Sequence, residues 1–179
     1  GGFRTDAHEA VAKSVVNADS LVVTIPLIDY IDVVSEENLP DYYDDTDPES
    51  AKRPDPTSYL AEYDKILNWF TEQSGTNVFV VTTMSDLLLK EFEETKLNGA
   101  EASTEAEYRR FEQWIKADVL GAEVDRLIEY AATETPMALH FQMSDQPHIV
   151  DGQKQPNPVL SDGTVHFVNG ERLLRQLAS

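Results

Sequence analysis

The run Thr82-Thr83-Met84-Ser85-Asp86 follows a β-branched apolar stretch, Val78 to Val81, and leads into Leu87-Leu88-Leu89-Lys90-Glu91-Phe92. A carboxylate placed there has two kinds of chemistry open to it. Ser85 or Asp86 can accept hydrogen bonds from the orphan amides that begin a helix. Asp86 can instead read a ligand lying beyond the end of the strand, where parallel sheets bind. Two other strand ends carry comparable groups, Pro26-Leu27-Ile28-Asp29-Tyr30 and Gln142-Met143-Ser144-Asp145-Gln146, and the latter repeats the Ser-Asp pair.

Other constellations are weaker. The segment DYYDDTDPE (41–49) is rich in carboxylates but lacks the spacing that orders a calcium-binding EF-hand loop, so it reads as a solvated insertion. His8, His140, His148 and His166 are scattered, without zinc-ligand spacing, and His140 and His166 fall in strands where packing explains them better than acid-base work. There is no serine nucleophile elbow, and with no cysteine the chain has neither disulfides nor thiolate metal ligands.

The elements that must position these groups belong to a chain of 179 residues, 41% of them apolar, enough for one domain with a real core. Its formal net charge of -19 would be repelled by phosphates, which argues against nucleic acid as a partner. The acids are spread along the chain, and adaptation to a salt-rich, halophilic setting accounts for them more simply than a dedicated acidic binding face. No apolar run reaches the roughly 20 residues of a membrane span, and the charged-then-apolar order of a signal peptide is absent from the first residues. The expectation is a soluble, cytoplasmic protein that does not engage a membrane.

Periodicity gives a helix over 6–18, a strand over 20–27, and a proline-rich acidic insertion over 28–57. A helix over 58–74 follows, with Leu60, Tyr63, Ile66, Leu67 and Phe70 inward, and then a strand over 77–84 and the helix that Asp86 introduces. Beyond a break at NGAEAS lies one long helix, from about Thr104 to Ala131, with Phe111, Ile115, Val119, Val124, Leu127 and Ile128 inward. A strand over 137–144, a short one over 164–169 and a closing helix complete the chain. Strands 20–27, 77–84 and 137–143 read as adjacent and parallel, because each is followed by a helix long enough for a right-handed crossover. The fold class predicted is α/β, a three-layer sandwich around a mostly parallel sheet, in a single domain over 1–179.

From Gly1-Gly2 to the closing GERLLRQL, the chain resembles the later half of a P-loop GTPase, a Ras-like G domain of the acidic, divergent double-GTPase type found in prokaryotic conflict and defence systems. Thr83-Met84-Ser85-Asp86 falls where that family carries Asn/Thr-Lys-x-Asp. The resemblance implies that Asp86 accepts two hydrogen bonds from a guanine edge, that Met143-Ser144 belongs to the loop facing the guanine carbonyl, and that Gly1 or Gly2 ends the Asp-x-x-Gly motif against the γ-phosphate. Met84 stands where the family has lysine; a thioether can cover the base but cannot tie the site to the phosphate loop.

No Gly-x-x-x-x-Gly-Lys-Ser/Thr occurs in the chain. GTP or GDP with magnesium is therefore implied only if upstream sequence supplies a phosphate loop, and the chain by itself is not expected to hydrolyse GTP. In a G domain a further strand covers the open edge of strand 20–27. The expectation is that another part of the same polypeptide, or a protein partner, does so here. The competing class is a degenerate acidic α/β interaction module that has lost nucleotide binding.

Overall fold

The computed structural model describes residues 18–41, 43, 60–68 and 77–179. The helix predicted over 6–18, Gly1 and Gly2, and most of the acidic insertion lie outside the described residues. The centre of the fold is a three-stranded parallel sheet in the order β1-β2-β3, formed by β1 (Ser20–Pro26), β2 (Asn77–Thr83) and β3 (Met137–Ala138). Strands β1 and β2 pair over their whole length, from Ser20 opposite Asn77 to Pro26 opposite Thr83. The α/β class and the parallel order of the three strands match the sequence reading.

β-Branched residues suit the pleated, covered positions of these strands. On one face Val23, Ile25, Val78, Val80 and Ala138 enter the main core. That core is completed by helix α1 (60–68), through Leu60 and Leu67, by α2 (Asp86–Lys96), through Leu87, Leu88 and Phe92, and by the two helices that follow. On the other face Val81, Met137 and Leu139 form a smaller cluster against Leu173. Leu173 belongs to the C-terminal helix (Gly170–Leu177).

The structure corrects four expectations. Ile66 is not inward but exposed, because Leu60 and Leu67 already fill the contact of α1 with the core. The insertion predicted from residue 28 is packed at its start: a 3-10 helix over Leu27–Val33 buries Leu27 and Ile31, and a second over Glu36–Asn38 buries Asn38. The long helix 104–131 is two helices, α3 (Glu105–Trp114) and α4 (Ala122–Glu129), separated by a π-turn over Ile115–Val119 and by Gly121 at φ 71°, ψ -176°. That backbone region is open essentially to glycine alone. The inward set was nonetheless right, since Phe111, Ile115, Val119, Val124, Leu127 and Ile128 are all buried.

The fourth correction concerns the strand predicted over 137–143. Only Met137 and Ala138 pair with β2; the chain then turns, and β4 (His140–Phe141) pairs antiparallel with a later strand (Phe167–Val168). On the outer edge of β3, away from β2, the backbone groups are those of Ala138. Its amide donates to Glu112 Oε1 at 3.0 Å and its carbonyl accepts from Asn169 Nδ2 at 2.8 Å, so side chains take the groups that a fourth strand would need. Strands β5 (His148–Val150) and β6 (Gln153–Gln155) form a hairpin, and β7 (Phe167–Val168) and α5 (Gly170–Leu177) close the chain.

Candidate functional site

The carboxyl ends of the three parallel strands meet at Pro26, Thr83 and Leu139, and the turn from β2 into α2 rises from the middle of that edge. Thr82, fully buried, places its hydroxyl 3.3 Å from that of Ser85, and the Ser85 hydroxyl lies 3.3 Å from the Thr82 carbonyl, to which it donates. Ser85 is the N-cap residue by position, but its side chain caps no helical amide. The capping expectation for Ser85 is therefore corrected: its hydroxyl folds back to brace the strand end. The helix starts instead through tight backbone turns, Leu87 N–H to the Met84 carbonyl and Leu88 N–H to the Ser85 carbonyl, both 3.2 Å. Asp86 is the first helical residue, half-buried, where a negative charge meets the positive end of the helix dipole.

Between them Met84 adopts φ 58°, with 43% of its surface exposed. The other described non-glycine residues in that left-handed region are Asn98, Asp151 and Asn169, types that tolerate it. Methionine has no local hydrogen bond to offset the clash. A strained, exposed methionine at the end of the central strand is the feature of this edge that local packing does not explain.

Thr83, Met84 and Asp86 are thus brought to one edge. Met143 and Ser144 lie beyond β4 and are held by other contacts: Ser144 N–H donates to the Asn157 carbonyl at 2.7 Å, and the Ser144 hydroxyl accepts from Gln146 N–H at 3.2 Å. The amide of Gln142 donates to the His166 carbonyl at 2.9 Å. The amides of residues 142 and 144 are thus already engaged within the chain. Gly1 and Gly2 lie outside the described residues.

Among the described residues, clefts also lie elsewhere. A cleft of about 790 Å³ is lined by Lys116, Gly121, Asp125, Glu129, Thr133 and Glu134. It sits near Ala131, which bridges Val78 at the start of β2, and so at the opposite end of the strand from Asp86. Another, of about 460 Å³, is bordered by His166, Phe167, Asn169, Arg172 and Arg175. Neither gathers convergent polar groups around a buried apolar floor, the usual form of a small-molecule site.

Two buried carboxylates went unnoticed in the sequence. Glu112, fully buried, receives both guanidinium nitrogens of Arg172, at 2.9 and 3.0 Å, together with Ala138 N–H and Asn169 Nδ2, and so ties α3 to β3 and α5. Desolvation pushes its carboxyl above the usual range, against the pull of Arg172. Glu91 is also buried; desolvation raises it, but hydrogen bonds from Asn38 and Ser35, at 2.8 and 2.9 Å, outweigh that and leave it lowered. Both are structural ties between elements, Glu112 reaching the end of β3 through the Ala138 amide. A scan against protein-family models, a search of curated proteins and a search of solved structures each found no match.

Proposed function

We propose that this chain carries the base-recognising part of a guanine-nucleotide-binding switch of the P-loop GTPase kind, built on a three-layer α/β sandwich. In this reading Asp86 accepts from the guanine edge, Met84 packs on the face of the base, Thr83 shapes the rim, and the Met143-Ser144 loop lies on the opposite side. GTP or GDP with magnesium would need a phosphate loop and the Gly1-Gly2 segment for its phosphates, which is where the hydrolytic chemistry would come from. The chain's own residues select the base. The observation that carries the reading is the strained, exposed Met84 beside Asp86 at the carboxyl end of the central parallel strand.

The test is titration of the chain with GDP, ADP and the xanthine diphosphate, read from the Met84 methyl resonance. Wild type should prefer guanine, and Asp86→Asn should shift preference towards xanthine, because the amide presents a donor to the xanthine carbonyl. An Asp86→Asn variant with an intact fold and an unchanged order of preference would sink the proposal, as would a Met84 signal indifferent to all three.

A second reading, an acidic α/β interaction module, is favoured by a different observation. Phe141 and Phe167 stack with ring centroids 4.9 Å apart while remaining 45% and 43% exposed, and Val165 and Leu174 beside them are exposed as well. Apolar residues gathered at one surface mark contact sites more often than chance exposure does. Substituting Phe167 by Ser should leave nucleotide titration untouched under the first reading.

A further inference from the structure

The sulfur chemistry of this sequence rests on methionine alone. It has three, Met84, Met137 and Met143, and no cysteine, so no thiolate within it competes for an oxidant. The three lie in different surroundings. Met137 is 2% exposed and belongs to the small cluster with Val81 and Leu139, Met143 is half-buried beyond β4, and Met84 is 43% exposed at the turn from β2 into α2. They differ also in what depends on them. Neither core cluster includes Met84, and the turn that carries it is held by groups other than its side chain: the Thr82 and Ser85 hydroxyls, and the Leu87 amide that donates to the Met84 carbonyl. A polar atom added to the Met84 sulfur can be solvated without opening the core. The same atom on Met137 would be buried among apolar neighbours, at a cost to the fold.

We infer that Met84 is a site of reversible oxidation, at which a hydroperoxide sets the chemical state of the strand-end edge while the fold stays intact. The thioether sulfur attacks one peroxide oxygen; a sulfur–oxygen bond forms as the oxygen–oxygen bond breaks. With hydrogen peroxide the second oxygen leaves as water, carrying both protons, so sulfur is oxidised and peroxide reduced by two electrons each. A thiol-dependent sulfoxide reductase reverses the step: two thiols become a disulfide and the oxygen leaves as water. The sulfoxide exchanges a polarizable apolar tip for a polar, chiral one. The consequence for binding rests on the guanine reading: a tip of that kind loses the sulfur contact with the face of a base, which weakens binding about two- to tenfold.

The experiment exposes the whole wild-type chain to limiting hydrogen peroxide and follows each methionine by peptide mass spectrometry, with circular dichroism on the same samples. Met84 should take up oxygen first, about tenfold faster than Met137, with an unchanged spectrum. The two epimer-specific sulfoxide reductases with a dithiol should then restore it. Earlier oxidation of Met137 or Met143, a spectrum that changes when Met84 alone is oxidised, or a sulfoxide that the reductases cannot reach overturns the inference. GDP and ADP are compared alongside. Under the guanine reading GDP slows oxidation of Met84 more than ADP does, and binds the sulfoxide form about two- to tenfold more weakly. If GDP has neither effect while the order of oxidation holds, the guanine reading falls and the oxidation site stands.

Discussion

Replacing Arg172 by Met would test whether the Glu112 tie holds the C-terminal elements to the sheet. The guanidinium meets both oxygens of a carboxylate that is fully buried, so its loss strands a charge in the interior. Breaking such a pair from one side typically costs about 3–5 kcal/mol. Ala138 N–H and Asn169 Nδ2 remain as donors to Glu112, which brings the expected cost at neutral pH down to about 2–4 kcal/mol.

The pH dependence follows from the raised carboxyl of Glu112. A group whose folded pKa lies above its unfolded value favours the folded state below the unfolded value, and that contribution is lost as pH rises through the folded one. Removing Arg172 raises the folded value further. The penalty should therefore be largest at neutral pH and smaller at acidic pH, as Glu112 takes up a proton. Urea unfolding followed by circular dichroism at both pH values measures it, and Glu112→Gln combined with Arg172→Met should recover most of the loss at neutral pH. A cost below about 1 kcal/mol, equal at both pH values, would refute the claim that this carboxylate is held charged in the interior.

His140 is buried, its Nδ1 has no partner, and burial with the nearby His166 depresses its pKa to about 4 from 6.5. Its folded value lies below the unfolded one, so its contribution is complete above pH 6.5 and is lost between there and about 4; His140→Leu should flatten that limb by up to about 3 kcal/mol, read as the difference in unfolding free energy between variant and wild type. Met84→Gly should raise the melting temperature by a few degrees, because about 1 kcal/mol of left-handed strain is relieved; a lower melting temperature would show that the Met84 side chain packs more than it strains. Gly121→Ala should destabilise by about 1–3 kcal/mol, since φ 71° with ψ -176° admits no Cβ comfortably, and unaltered urea unfolding would count against that.

Strand β2 was legible because an unbroken β-branched run, apolar on both faces, has few other uses in a chain this charged, whereas β1, expected to be covered on both faces, buries Val23 and Ile25 but exposes Val22 and Thr24. The inward positions of α3 and α4 were legible from helical spacing for the same reason. The break between them carried a signal, Gly121 inside a helical pattern, that periodicity alone overrode. The closing of the outer β3 edge carried none, because it depends on Glu112 and Asn169, which lie 26 and 31 residues away from Ala138. Glu112 itself follows Phe111 in a segment of glutamates and arginines and reads as a solvated residue until Arg172 is brought to it. At the candidate site, the placement of Thr83, Met84 and Asp86 at a strand end followed from the apolar run. The left-handed backbone of Met84 did not, since methionine has no preference for it.

The charge of the chain serves more than one physical purpose. Most acids need only water, and salt screens their mutual repulsion. Glu91 and Glu112 differ: they are buried, they hold the 3-10 segment after β1 to α2 and α5 to α3 and β3, and their hydrogen bonds lie where salt screens little. High salt should thus relieve the repulsion without loosening these ties. The exposed acids should therefore respond to salt while Glu91 and Glu112 tie the same elements at low and at high salt, so urea unfolding should become harder as salt rises without a change in the circular dichroism spectrum.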